Sequence, residues 1–554
     1  MAINLEIFNT NKEYFNNIAK AIYQVTFEDY FSFLYEHQKE AYNVMEEYKK
    51  GQIICPTGSG KSKIQIATIF KHLEDNPDHI DNYLITSHRL LLNIQLIANL
   101  VKDVKKSVAP FKLLFVGSGD IKASTLNEII NKDTPKKEDW INVSADDVLS
   151  TTNKNEIDNF IKISNKNGYD VLIVSTYHSL DKLKDINIEI ACFDEAHTTA
   201  SSQDEDTMFK ANIKRLKNVN RQYFFTATRK VFNNDKGMND PFYGDVIYSI
   251  SPKEIMDGGY ICEPKLHLVY SSDKDKNLRN DKMEVKTILE SFTAHNQIVK
   301  SNAERAGMKP PMAAKMLVNT PGSGPMLSYI KSAELKAYSK NNKCKMFFIA
   351  SNDKVNCTII TEGKKVDNLD REEWMRQLTN LKQDESAIIF HYSILTEGID
   401  LPNITGTLFT RATTVTKLMQ SIGRSLRLLP EDRDNLHKHN TLLPAEKEKF
   451  IKPFGYVILP SGFLIEEDDE VEMESLVRSV VNEYTIPEQE LTLVTTDAKG
   501  TRVIDIDDIG TGLEDDRDKK LAGAISDIYH EIDEHNAKLR FEEKDAEWIL
   551  EMIK

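Results

Sequence analysis

One stretch constrains this chain more than any other: Cys55-Pro56-Thr57-Gly58-Ser59-Gly60-Lys61-Ser62. Gln52-Ile53-Ile54, just ahead, reads as a short buried strand, and apolar residues recur at helical spacing from Ile64 onward. Strand, Gly-rich turn and helix in that order make a phosphate cradle. Gly58 and Gly60 let main-chain N–H groups turn inward with no Cβ in the way. The helix then aims its positive end at the same anion. Lys61 is placed to meet the β- and γ-phosphates and Ser62 to hold Mg²⁺, with Pro56, Thr57 and Ser59 completing the loop. Cys55 stands where the usual pattern has Gly, a position that packs the strand end and accepts a small residue.

Strand-like runs follow at Tyr83–Thr86, Lys112–Val116, Val171–Val174, Ile188–Phe193 and Gln222–Thr226, with helical patterns between several of them. A second series follows Pro264: Lys265–Val269, Met316–Val318, Met346–Ile349, Ala387–Phe390, Thr407–Thr410 and Tyr456–Leu459. Alternating strands and helices predict parallel sheets covered on both faces. The fold class is therefore α/β, with two tandem parallel-sheet domains at about 30–262 and 263–465. Residues 1–29 read as a helical extension, the polar stretch 118–168 as an insertion, and 466–554 as an acidic, mainly helical region.

Two further groups carry chemistry. Asp194-Glu195-Ala196-His197 follows an apolar run that ends at Phe193. At a strand end, one carboxylate can hold the Mg²⁺ shell and the other can orient and deprotonate water, so Asp194 is assigned to the metal and Glu195 to the water. His197 falls near the γ-phosphate. In Gln420-Ser421-Ile422-Gly423-Arg424-Ser425-Leu426-Arg427 the two arginines are three apart, which predicts one helix face, with Gln420 a turn earlier. Positive charge delivered at phosphoryl transfer is worth about 10³–10⁵ in rate.

The formal charge of −15 is unevenly spread. Residues 466–554 hold 27 Asp/Glu against 10 Lys/Arg, a balance of −17, which leaves residues 1–465 at +2. A near-neutral body can carry a basic groove, because binding follows local potential. The five scattered cysteines form no C-x-x-C pair, which argues against a disulfide framework or a zinc ribbon and fits a reducing compartment. With no leader-like start and no membrane-length apolar run, the expected location is soluble and intracellular.

Taken in order, these motifs resemble those of the superfamily 2 DEAH-type helicases and translocases across about residues 30–465. Thr226-Ala227-Thr228 resembles the family's segment coupling ATP to nucleic acid. Thr396-Glu397-Gly398-Ile399-Asp400-Leu401-Pro402 looks like the second-domain motif between nucleotide and strand. Tyr35-Glu36-His37-Gln38 resembles the segment whose glutamine reads adenine, a role that falls to Gln38. Ser87-His88-Arg89 and Ser175-Thr176-Tyr177-His178 sit where the family contacts the strand backbone.

The resemblance implies two RecA-like domains around one ATP with Mg²⁺. Lys61, Ser62, Asp194 and Glu195 would come from the first, and Gln420, Arg424, Arg427, Gly398 and Asp400 from the second. Ser87, His88, Arg89, Thr176, His197, Thr226, Thr228 and Thr396 would contact or couple to the strand. In style the motifs are nearest to phage branch-migration helicases and restriction-enzyme motor subunits, so DNA is the expected partner. A pure duplex translocase in a restriction or defence complex, an RNA helicase and a nucleotide-gated binding switch stay open. So do the roles of Lys274–Lys315, a solvated helix face or a strand-binding arm, and of the acidic tail, a helical cap or a partner-docking element.

Overall fold

The computed structural model describes residues 27–76, 78–87, 111–117, 123–131, 143–201, 206–232, 236–271, 281–350, 357–392, 401, 403–410, 415–460, 491–497 and 500–505. The chain divides into two compact units, Met1–Ser251 and Pro252–Lys554.

In the first unit, helices α1 (Phe27–Ser32) and α2 (Glu36–Glu47) precede β1 (Lys50–Ile54) and α3 (Lys61–Asp75). Then come β2 (Asn82–Ser87), β3 (Phe111–Val116), α4 (Ala123–Asn131), β4 (Val148–Ser150), α5 (Lys154–Lys166), β5 (Asp170–Thr176) and β6 (Asn187–Phe193). The unit continues through α6 (Met208–Lys214), β7 (Asn218–Thr226), the small ribbon β8 (Val231–Phe232) and β9 (Lys236–Gly237), and β10 (Val246–Ser249). Eight strands form one sheet in the order β10-β1-β7-β6-β2-β5-β3-β4. Every neighbouring pair is parallel. All the strand C-termini therefore share one edge, the place where open parallel sheets bind ligands.

The apolar runs split between the two faces because side chains alternate along a strand. Ile85, Phe115, Val174, Cys192 and Phe225 join one core with Ile66 and Phe70 of α3. Their chain neighbours Leu84, Leu114, Ile173, Phe193 and Phe224 join the other with Tyr177 and Tyr243. The stretch 118–168, expected as an insertion, takes part in this sheet where it is described. β4 pairs with β3, Leu113 opposite Val148, and α5 buries Ile157 and Ile161, one turn apart. A three-residue strand and a helix with only two buried apolar positions leave little periodic signal, which is why they read as a polar loop.

The second unit runs through α7 (Pro252–Asp257), β11 (Glu263–Ser271), α8 (Asp281–Arg305), β12 (Lys315–Asn319), α9 (Ser323–Lys331), α10 (Ala333–Asn342) and β13 (Lys345–Ala350). It continues with β14 (Cys357–Thr361), β15 (Lys364–Leu369), α11 (Arg371–Thr379), β16 (Ala387–Tyr392), β17 (Gly406–Phe409), α12 (Val415–Ser425), α13 (Pro430–His437) and β18 (Phe454–Pro460). The hairpin β19 (Leu491–Asp497) and β20 (Gly500–Asp505) ends the described chain. The sheet order is β15-β14-β13-β16-β12-β17-β18-β11-β19-β20, parallel except for the antiparallel pairings that add β14, β15 and β20. Both units are thus α/β with a parallel sheet at the centre, as the alternating pattern predicts.

α8 is a core helix: Val285, Ile288, Phe292, Val299 and Ala303 are buried, while Lys286, Lys300 and Arg305 face solvent. Lys315, which closes the same basic stretch of sequence, is instead a buried residue of β12. In the region expected to be mainly helical, the described residues 491–497 and 500–505 are strands, and β19 lies parallel to β11 with Leu266 opposite Leu491. The helix expected at Leu521–Ile553 lies outside the described residues. Among the described residues no helix is long and apolar enough to cross a membrane.

Candidate active site

The phosphate loop is built as its glycines require. Gly58 and Gly60 have φ of 93° and 83°, values that side chains with a Cβ adopt at a cost. Gly60 caps α3, whose first turn carries no acidic residue, so the helix's positive end is uncompensated. The loop is braced from behind. Ser59 O accepts from Gln38 Nε2 at 2.8 Å and from His37 Nε2 at 2.8 Å. A carbonyl only accepts, so His37 carries its proton on Nε2. Gln38 Oε1 accepts from Tyr35 N–H at 3.0 Å. A Cβ on Gly60 would stand 2.3 Å from Gln38 Nε2. The amide assigned to adenine from the sequence is thus a brace for the loop in this structure. Lys61 Nζ donates to Cys55 O at 3.2 Å. Burial pushes the Cys55 thiol up to about 12, so it packs as a neutral group.

The carboxylates stand at the end of β6. Asp194 N–H donates to Thr86 O at 2.8 Å, and Asp194 O accepts from the Tyr177 hydroxyl at 2.7 Å. Glu195 is buried and left-handed, with φ 50° and ψ 44°. A non-glycine residue held there stores about 1–3 kcal/mol, and such strain clusters at functional sites. Glu195 Oε2 lies 3.4 Å from His197 Nδ1, which is also 3.0 Å from Thr226 Oγ1. Thr226 Oγ1 donates to Thr228 O at 2.8 Å and accepts from Thr228 N–H at 3.3 Å. Its one hydrogen is therefore engaged, and His197 Nδ1 must be the donor to it. Thr226 O in turn accepts the N–H of Cys55 at 3.0 Å. One continuous set of bonds joins the phosphate loop, Thr226, Thr228, His197 and Glu195.

Ser87 ends β2 directly opposite Thr176 at the end of β5. Thr176 Oγ1 donates to Ser179 Oγ at 3.2 Å. His88, Arg89, Thr396, Gly398 and Asp400 lie outside the described residues.

In the second unit, Gln420 and Arg424 are buried on α12. Neither amide atom of Gln420 has a hydrogen-bond partner among the described residues. The expectation that Arg424 and Arg427 share a helix face is corrected. The helix ends at Ser425, because Cys262 N–H captures Leu426 O at 2.7 Å and draws Arg427 into an antiparallel bridge with Ile261. Gly455 passes so close to this turn that a Cβ there would lie 2.5 Å from Ser425 O. Buried Lys452 donates to Arg427 O, and Asp432 accepts the N–H groups of Ile451 at 3.0 Å and Lys452 at 2.9 Å. Burial lowers the Arg427 guanidinium to about 10.

The first unit's loop fits a phosphate group: left-handed glycines leave room for oxygens, and a lysine and an uncapped helix start face the same space. Residues 35–235 match the DEAD/DEAH box helicase family. Those residues resemble a DEAD/DEAH box helicase domain. Among curated proteins, none matches the chain by sequence.

Among solved structures, the chain is similar to the ATP-dependent Type ISP restriction-modification enzyme LlaBIII bound to DNA, at 16% identity and a TM-score of 0.53, covering 84% of this chain and 32% of that one. It spans about a third of that enzyme's length. Mycobacterium smegmatis helicase Lhr bound to ssDNA and AMP-PNP aligns at 15% identity and a TM-score of 0.48, covering 83% of this chain and 50% of that one. S. cerevisiae Dbp5 bound to RNA and ADP BeF3 aligns at 12% and 0.48, covering 89% and 93%. The superfamily 2 resemblance read from the motifs agrees with the family match over residues 35–235.

Several residues that shape these sites carry no motif in the sequence. Arg229 donates to Gln52 Oε1 at 3.1 Å and to Asn239 Oδ1 at 2.7 Å, tying β1 to the segment after Thr228. Tyr177 sits in the expected strand-contact segment but faces inward. Lys452 and Asp432 act through main-chain groups, which no side-chain spacing reveals.

Proposed function

We propose that this helicase uses ATP with Mg²⁺ to unwind or remodel branched duplex DNA. The observation that carries the motor reading is the bonded path from Cys55 through Thr226 to His197 and Glu195. A simple nucleotide switch needs a phosphate loop but no such link between that loop, a carboxylate and the segment that resembles the family's coupling motif.

Lys61 and the N–H groups of Gly58 to Ser62 would hold the phosphates, with Ser62 and Asp194 holding Mg²⁺. The metal supplies charge neutralisation at the transferring phosphoryl group when bound. Glu195 orients and deprotonates the attacking water, and His197, held as a donor to Thr226, links that step to Thr228. In the family that the motifs resemble, residues matching Gln420, Arg424 and Arg427 serve the γ-phosphate, and we assign them that role. DNA is favoured over RNA by the style of the motifs, with His197 in the fourth position of the Asp194 to His197 motif, Thr226-Ala227-Thr228, and Gln420 to Arg427.

The test is ATP turnover with single-stranded DNA, duplex DNA, forked DNA and RNA, alongside strand displacement from each duplex. Stimulation by forked DNA with strand separation supports the proposal. Stimulation by duplex without separation indicates a translocase, stimulation by RNA alone removes the DNA reading, and no stimulation leaves a nucleotide switch.

A further inference from the structure

The two main-chain groups of Asp194 are held by two different segments. Its N–H goes to Thr86 O at 2.8 Å, and its carbonyl receives the Tyr177 hydroxyl at 2.7 Å. Thr86 is the chain neighbour of Ser87, and Tyr177 is the chain neighbour of Thr176. Ser87 and Thr176 are themselves register partners on β2 and β5, side by side at the sheet edge. Asp194 is thus bracketed by the residues adjoining both expected strand contacts, and Glu195 follows it in a left-handed conformation.

Tyr177 is held by both its ring and its backbone. Its ring is fully buried and stacked on Phe209 at 5.4 Å. Its own carbonyl accepts from Asn212 Nδ2 at 3.0 Å. Ring and backbone are therefore both tied to α6, which anchors the start of the short helix Tyr177–Leu183 that Thr176 caps. Burial keeps the phenol protonated, so it acts as a hydrogen-bond donor at any ordinary pH.

We propose that Tyr177 is a positioning residue through which a nucleic-acid strand held at Ser87 and Thr176 sets the geometry of Asp194 and Glu195. The inference rests on the motor reading above. It assigns to the hydroxyl of Tyr177 a share of the nucleic-acid stimulation of ATP turnover, separate from the route through His197 and Thr226.

The test compares wild type, Tyr177→Phe and Phe209→Leu in steady-state ATP turnover, with and without a forked DNA duplex, or single-stranded RNA if only RNA stimulates. Tyr177→Phe removes the hydroxyl and keeps the stacked ring. Phe209→Leu loosens the stack and keeps the hydroxyl, and so reports a purely structural role. The expected result is a stimulated kcat about tenfold lower in Tyr177→Phe, with KM for ATP and nucleic-acid affinity by anisotropy within about twofold of wild type. Phe209→Leu should keep most of the stimulation. An unchanged ratio of stimulated to unstimulated turnover in Tyr177→Phe, or an equal loss in Phe209→Leu, overturns the inference while the motor reading stands. A wild type that no nucleic acid stimulates overturns both.

Discussion

His197 Nδ1 lies 3.0 Å from Thr226 Oγ1, and the carbonyl of that same threonine receives the N–H of Cys55. Thr226 therefore touches the phosphate loop with its backbone and the carboxylate segment with its side chain. Thr226→Val keeps the backbone bond and deletes the side-chain one. ATP turnover should change by less than about threefold, while strand displacement per ATP falls about tenfold. Parallel measurement of phosphate release and duplex unwinding checks this, and an equal fall in both would place Thr226 in the ATP step alone.

Gly60 has no room for a methyl group. Its φ is 83°, and a Cβ would press on Gln38 Nε2 at 2.3 Å. Gly60→Ala should cost about 1–2 kcal/mol in backbone strain alone, which lowers the melting temperature by about 2–8 °C. Displacing Gln38 also removes the brace on Ser59 O, so binding of a non-hydrolysable ATP analogue should weaken by more than about tenfold. Calorimetric melting and nucleotide titration read the two effects.

Arg424 is buried on α12, while Arg427 lies past the helix end under the hold of Lys452. Arg424→Ala should lower turnover about 10³-fold with ATP binding retained. Lys452→Met, which fills the space but releases Arg427 O, should lower turnover by about tenfold. Near-normal turnover in Arg424→Ala would remove it from the hydrolytic machinery.

Lys315 is buried and its ammonium has no hydrogen-bond partner among the described residues. Burial lowers it from 10.5 to about 8, with Glu385 and Asp384 pulling it part of the way back. Between those two values the unfolded chain binds the extra proton, so this residue makes stability rise as pH rises. At pH 7 it costs about 3 kcal/mol. Lys315→Met should recover much of that at pH 7 and flatten the rise between about pH 8 and 10.5. Urea denaturation of both proteins across that range gives the difference, free of groups common to them.

The β19–β20 hairpin covers the edge of β11 from Leu266 to Ser271. A chain ended at residue 490 uncovers those main-chain groups on a parallel strand inside a large sheet. Exposed edges of that kind pair with other chains. The shortened protein should aggregate with increasing concentration where the full chain stays monodisperse, as light scattering would show.

The local chemistry is legible in the order of residues along the chain. Gly58, Gly60, Lys61 and Ser62 sit between a strand and a helix, and that order makes a phosphate cradle through short-range geometry alone. The apolar runs at Ile188–Phe193 and Gln222–Thr226 likewise read as buried parallel strands, because both their faces are covered. The helix face expected for Arg424 and Arg427 fails because helical spacing is a local rule. A partner segment more than 160 positions away, at Ile261 and Cys262, wins the backbone of Leu426 and Arg427. β4 and the β19–β20 hairpin leave no clear pattern for the same reason, since a short or polar strand is stabilised by the neighbour it pairs with.

The phosphate loop, the carboxylate pair and the two α/β series each follow from residue type and short spacing. That Gln38 braces Ser59, Tyr177 holds Asp194 and Lys452 secures Arg427 emerges only once the chain is folded. Those contacts run between segments 17 to 25 residues apart, and they are made to main-chain carbonyls, which every residue possesses and which therefore leave no mark in the order of side chains.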